Sequence, residues 1–95
     1  MALALDRIRL MVPDHVITRA VDDTTVVLDI DTGRSFTLDA VGTRVWTLLV
    51  SAPSAQTAYD ALLSEYAGDP MQVRADLETM IEQLATNRLL SVETL

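Results

Sequence analysis

Cysteine is absent from the 95 residues, which excludes disulfides, thiolate metal sites and thiol nucleophiles together. Lysine is absent as well. The seven basic residues are all arginines, scattered among fourteen acidic ones for a net charge of −7. Nucleic-acid binding draws on a clustered basic patch that displaces counterions from phosphates, and no such cluster exists here, so nucleic acid is not an expected partner. The one histidine, His15, has no companion at metal-ligand spacing and reads as a residue at the start of a strand. No apolar run approaches the roughly 20 residues that span a bilayer. Asp6, Arg7 and Arg9 interrupt the N-terminus where a signal peptide would need its apolar core. These absences predict a cytoplasmic protein with no membrane segment.

What is present is an apolar majority: 49% hydrophobic residues, few of them aromatic, enough for one packed domain. The first twelve residues read as an apolar, weakly patterned arm, and residues 13–95 as a single domain. From His15 the pattern is β-branched and strand-like as far as the turn residues Asp22 and Asp23. In the next run Val26, Leu28 and Ile30 alternate with Thr25, Val27 and Asp29, and this period of two predicts a strand with the first row on the core. Asp31, Thr32 and Gly33 form a hairpin turn. A third strand over residues 34–38 alternates again, Phe36 and Leu38 against Ser35 and Thr37. At Asp39, a good helix N-cap, the period lengthens to Val41, Val45, Leu48 and Leu49 with Trp46 beside them. Pro53 ends that helix, Ser54 caps a second with Ala58, Leu62 and Tyr66 on one face, and Gly68 stops it. Asp69, Pro70 and Gln72 then read as cap, first helical residue and capping-box partner of a third helix carrying Val73, Leu77, Met80, Ile81 and Leu84 to about Arg88. Leu89, Leu90 and Val92 close the chain as a short extended tail. The order predicts an α+β fold, a three-stranded antiparallel sheet followed by three helices.

No catalytic constellation emerges. Asp29 to Gly33 resembles the start of a calcium loop, but the obligatory glycine position falls on Arg34 and the bidentate glutamate position on Ala40. Asp76, Glu78 and Glu82 sit at the spacing of a solvated helix face, with Arg74 four residues before Glu78 as a surface pair. Phosphate-binding glycine loops are missing, and so is the serine of a carrier protein. A non-enzymatic chain with no cofactor is expected.

The feature suited to function is a sheet edge. Residues 34–38 contain no proline and only one charge, Arg34, so the usual devices that blunt an edge are missing and the strand can accept another from a peptide. Ladder bonds are worth about 1 kcal/mol each at most, net of water, against an association cost of at least about 4 kcal/mol. Binding therefore needs side-chain pockets as well, and the wide apolar arc of the third helix can supply them. Two plainer readings compete: the arc is core, or the edge joins a second copy of the chain.

The chain resembles the PqqD-like proteins, recognition elements for ribosomally made, post-translationally modified peptides. The likeness rests on Val12 and Pro13 before a strand, then Asp29, Thr32, Gly33, Phe36, Leu38 and Asp39, then Ala40, Val41, Gly42, Val45 and Trp46, and the acidic third helix opened by Asp69 and Pro70. Asp39 stands where the family often has Asn, a capping-equivalent change. The resemblance implies a winged-helix-like fold without catalysis or cofactor. It also implies that the leader region of a precursor peptide adds as a strand in the cleft between the third strand and the third helix. Carried onto this chain, the contacts are Arg34, Ser35, Phe36, Thr37 and Leu38 with Val73, Arg74, Leu77, Met80 and Ile81. Phe36 and Leu38 serve equally as core, and Arg74 is placed to meet an acidic leader side chain. A stand-alone chain of this size resembles the recognition proteins of lasso-peptide clusters, which deliver the leader to a separate leader peptidase and macrocyclase. The alternatives are a peptide chaperone for a radical enzyme in quinone-cofactor synthesis and a winged-helix DNA-binding regulator. The chain is expected to be a monomer or weak dimer.

Overall fold

The structure, a computed structural model, describes residues 3–95. A 3-10 turn at Leu5–Arg7 leads into β1 (Ile8–Met11). Then come β2 (Val16–Val21), β3 (Thr24–Asp29), β4 (Ser35–Leu38), α1 (Ala40–Ser51), α2 (Ala55–Glu65), α3 (Pro70–Thr86) and β5 (Ser91–Thr94). The third strand of the sequence reading is thus β4. The strands form a three-stranded antiparallel sheet ordered β2-β3-β4 and a separate two-stranded sheet, β1-β5.

The helix starts follow the expected capping chemistry. The Asp39 carboxylate accepts the Gly42 amide at 2.8 Å, the Ser54 hydroxyl accepts the Thr57 amide at 3.3 Å, and Asp69 accepts the Met71 amide at 2.9 Å, so each uses a side-chain oxygen to satisfy a free first-turn donor. Gln72 does not complete a capping box. Its side-chain amide donates to Asp76 at 2.8 Å. Gly68 is not a left-handed stop either: α2 ends at Tyr66 in extended conformation, and Gly33 is the one glycine with positive φ. The end of α3 carries the left-handed residue instead. Arg88 sits at φ 62°, its amide donates to the Ala85 carbonyl, and the Leu89 amide donates to the Leu84 carbonyl at 2.8 Å. This is a Schellman closure with arginine where glycine is usual. The His15 ring donates to the Arg88 carbonyl at 2.8 Å, tying the start of β2 to this turn.

Two expectations change. In β3 the buried row is Thr25, Val27 and Asp29, not Val26, Leu28 and Ile30. Ile30 is 52% exposed whereas Val27 is fully buried. Three successive apolar residues satisfy either parity, and the decision falls to Asp29. Its carboxylate turns inward to accept the Asp31 amide at 3.0 Å and the Thr32 amide at 3.3 Å, and a one-residue phase change moves every side chain of the strand to the other face. Second, residues 3–12 are not an arm, and Met1 and Ala2 lie outside the described residues. Leu5 and Leu10 are each 1% exposed. Residues 8–11 pair with 94–91, Leu10 opposite Val92, so the expected C-terminal tail is a strand. The core joins Leu5, Ile8 and Leu10 to Val45, Trp46 and Leu49 of α1, Ala58 and Leu62 of α2, Leu77, Ile81 and Leu84 of α3, and Leu89 and Leu90.

Leu10→Ala is expected to cost about 2–5 kcal/mol in urea denaturation, as a core leucine does; a loss under about 0.5 kcal/mol would return the segment to a surface arm. Arg88→Gly is expected to stabilise the fold by about 1 kcal/mol, since glycine adopts the left-handed conformation without steric cost. An unchanged or lower urea midpoint would contradict that.

Candidate functional site

The β3-β4 turn sets the geometry of β4. Gly33, at φ 74°, donates its amide to the Asp29 carbonyl at 2.8 Å, and the Asp29 amide donates to the Arg34 carbonyl at 2.9 Å. Asp29 and Arg34 are therefore a hydrogen-bonded pair. In an antiparallel ladder such pairs alternate with non-bonded ones, so with Val27 opposite Phe36 and Thr25 opposite Leu38, Phe36 and Leu38 bond to β3. The backbone groups of Ser35 and Thr37 point the other way, to an edge that no strand among the described residues occupies. Asp29 holds the turn as a carboxylate. Burial would raise it, but the Asp31 and Thr32 amides and the Thr32 hydroxyl outweigh that and hold it below its ordinary value near 3.8.

Beside this edge lies an open cavity of about 570 Å³, with Phe36, Thr37 and Leu38 on one wall and Asp76, Thr79, Met80, Gln83 and Leu84 of α3 on the other. A second cavity of about 250 Å³ lies between the helices, lined by Val41, Val45, Leu62, Tyr66, Val73 and Leu77. Gly42, Asp76 and Met80 border both. At that junction a Cβ on Gly42 would come within 3.2 Å of Asp39 Oδ1 and 3.4 Å of Leu38 Cβ, so the missing side chain lets β4 and α1 meet closely. Asp39 and Asp76 are the charged residues lining the larger cavity.

Of the residues expected at the site, Phe36, Thr37, Leu38 and Met80 line the larger cavity, while Val73 and Leu77 line the smaller one. Ser35 contributes backbone to the free edge, and the Arg34 guanidinium stands over the Phe36 ring at 5.1 Å. Two others are placed elsewhere. Ile81 is 1% exposed within the core. Arg74 is held by Glu78 at 2.9 Å and the Leu3 carbonyl at 2.9 Å, with its guanidinium over Tyr59, away from both cavities. The reason is one of phase. The apolar stripe Val73, Leu77, Ile81 and Leu84 turns largely into the core. The groove wall is its neighbour: Asp76, Thr79, Met80, Gln83 and Asn87, which recur at the same three- and four-residue spacing but are mostly polar. That spacing, taken with Met80, is the signal that could have found it.

Among the described residues no group of acidic or histidine side chains is arranged to hold a metal, and no helix is long and apolar enough to cross a membrane. The family model for coenzyme PQQ synthesis protein D (PqqD) matches residues 24–90. The solved complex of TbiB1 with the TbiA(beta) leader peptide superposes with a TM-score of 0.80 at 37% identity, covering 85% of this chain and 94% of that one. A lasso peptide synthetase B1 complexed with the leader peptide superposes with a TM-score of 0.79 at 18% identity, covering 87% of this chain and 98% of that one, a likeness of fold. No curated protein sequence matches significantly.

Because Asp29 is depressed in the folded state, its contribution is present above its unfolded value near 3.8 and is lost as pH falls through the lower folded value. Asp29→Ala is therefore expected to lower the melting midpoint at neutral pH, with the gap to the parent chain closing as the pH drops below about 4. A gap that is constant from neutral pH to about pH 2 would remove the carboxylate from this role.

Proposed function

Given that the chain belongs to the PqqD family, we propose that it is a non-catalytic module that captures the leader segment of a ribosomal precursor peptide as a fourth strand on β4. It hands that leader to separate modifying enzymes, a leader peptidase and a macrocyclase in lasso-peptide synthesis. The observation that carries this reading is the pairing of a free strand edge at Ser35 and Thr37 with an unfilled cavity walled by α3. The 37% identical TbiB1, whose solved complex holds a leader peptide, supports it. The named lasso peptide synthetase of the same fold favours the lasso pathway over a quinone-cofactor chaperone.

The physical sequence of events starts with the ladder. Ser35 and Thr37 offer two N–H and two C=O groups, and these bonds return about 1 kcal/mol each at most, roughly cancelling the association cost of at least about 4 kcal/mol. Net affinity then comes from leader side chains entering the cavity against Phe36, Leu38, Met80 and Leu84, about 1.5–3 kcal/mol for each apolar side chain fully buried. The ladder fixes register and direction, and the cavity discriminates between sequences. Arg74, engaged by Glu78 and Leu3, takes no part. Asp39 and Asp76 favour neutral or basic leader residues at the groove over acidic ones.

Calorimetric titration with the TbiA(beta) leader peptide tests the reading. The parent chain is expected to bind it. Thr37→Pro, which removes an edge amide, and Met80→Asp, which puts a charge in the cavity wall, are each expected to weaken binding at least about tenfold, or about 1.4 kcal/mol. Circular dichroism checks that each variant is folded. Folded variants that bind as tightly as the parent, or a parent chain that does not bind, would sink the proposal.

A further inference from the structure

The two walls of the larger cavity rest on different supports. α3 packs chiefly on α2, whereas the three-stranded sheet packs on α1. The spacing between β4 and α3 is therefore set at second hand, through the other helices, except at one point. There the His15 Nε2 donates to the Arg88 carbonyl at 2.8 Å. A carbonyl only accepts, so Nε2 carries the proton, in the neutral ring and in the imidazolium alike. Among the described residues this is the one hydrogen bond that joins residues 15–38 to α3 or its closing turn. Both ends of it are well placed. Asn87 and Leu89, on either side of Arg88, line the larger cavity. On the sheet side the His15 carbonyl accepts the Ile30 amide at 2.9 Å, and the adjoining Val16 pairs with Asp29, the residue that locks the β3-β4 turn. His15 is half-buried and lines neither cavity. The carbonyl it engages belongs to the left-handed Arg88, at φ 62°, where the chain has turned out of the helical ladder.

We infer that His15 is a positioning residue for leader capture, holding the closing turn of α3 to the sheet so that the groove keeps the width an added strand needs. The inference rests on the reading of β4 and the cavity as the leader site. Because the ring lines no part of the groove, it acts through the spacing of the walls and not by contact with the peptide. A groove already at its working width spares the peptide the cost of ordering it. One hydrogen bond of ordinary net strength shifts an equilibrium between held and released walls by about twofold to about tenfold. Where only the held spacing binds, apparent affinity falls with the fraction held. The bond acts at one end of the cavity. Asp76, at the junction where Gly42 lets β4 and α1 meet closely, lies about 16 Å along the helix from Asn87. The close approach of β4 to α1 fixes the junction end, and His15 fixes the other.

His15→Phe keeps a ring and removes the donor, while His15→Gln keeps an N–H at nearly the same reach. In calorimetric titration with the TbiA(beta) leader peptide, His15→Phe is expected to raise the dissociation constant at least about threefold, and His15→Gln is expected to stay within about twofold of the parent. Spin labels on Arg34→Cys and Glu82→Cys, in a chain otherwise without cysteine, read the spacing of sheet and α3 in the free protein. Their distance distribution is expected to broaden in His15→Phe, to stay narrow in His15→Gln, and to narrow again when His15→Phe is saturated with leader. Circular dichroism checks folding; if His15→Phe does not fold, His15→Asn, whose amide stops short of Arg88, takes its place. A folded donorless variant that binds as the parent does overturns the inference. So does an unchanged distance distribution, or a His15→Gln variant as weak as His15→Phe. Thr37→Pro separates this from the reading beneath it. A parent chain that binds no leader overturns both, whereas one that binds, loses binding in Thr37→Pro and is indifferent to His15 overturns this inference alone.

Discussion

The pairing of β1 with β5 is the constraint on which the rest depends. It joins residues 8–11 to residues 91–94 and seats Leu5, Leu10, Leu89 and Leu90 in the core, so the two ends of the chain complete one hydrophobic centre. A small domain leaves a large share of its surface in water, and these four leucines are a material part of what it buries. The same pairing keeps the C-terminal strand engaged with β1. With β5 paired to β1, the described residues leave the outer edge of β4 unpaired.

The groove follows from a difference between the two faces of α3. One stripe, Leu77, Ile81 and Leu84, is buried in the core, and the helix packs against α2. The adjoining stripe, Asp76, Thr79, Met80 and Gln83, faces β4 across the cavity. Mixed polarity suits a wall that is wet when empty, because an uninterrupted apolar cleft of that size would invite collapse or aggregation. Met80 supplies a flexible apolar contact at the junction of the two cavities, a role its unbranched thioether fills well. Asp29 acts from further back, as a carboxylate that locks the β3-β4 turn and so holds the edge at a fixed angle to the helix.

Much of this was legible in the residues. Helix starts at Asp39, Ser54 and Asp69 are local chemistry, readable without tertiary context, and each cap forms. The strand order and the α+β class were legible from period and turns, the family likeness held, and the third strand has an open edge among the described residues, although which of its amides face outward became clear only from the ladder register. Less legible was anything that needed a partner distant in sequence. The parity of β3 could not be taken from Val26, Val27 and Leu28, because hydropathy does not distinguish the two rows, and a carboxylate decided it. The first strand looked patternless because its partner lies some eighty residues away. Arg74 looked like a free cation for a ligand, since the Leu3 carbonyl that engages it is distant in sequence. The groove stripe was passed over because apolar periodicity finds the buried side of a helix, whereas a ligand-facing side is mixed.

The two open edges of one sheet show why an exposed ladder is not by itself a binding site. Both β2 and β4 present unpaired backbone groups, both lack proline, and each carries at most one charge. Hydrogen bonding alone would treat them alike. What separates them is the second wall. At β4 the helix α3 stands across a cavity from the strand, so a strand added there has side-chain contacts within reach as well as backbone bonds. At β2 there is no such wall, and an incoming strand must carry its own apolar cover. The first geometry can select a flexible chain by its sequence, because side chains as well as backbone are read. An open edge with a facing helical wall is therefore suited to peptide capture, and an open edge without one is not.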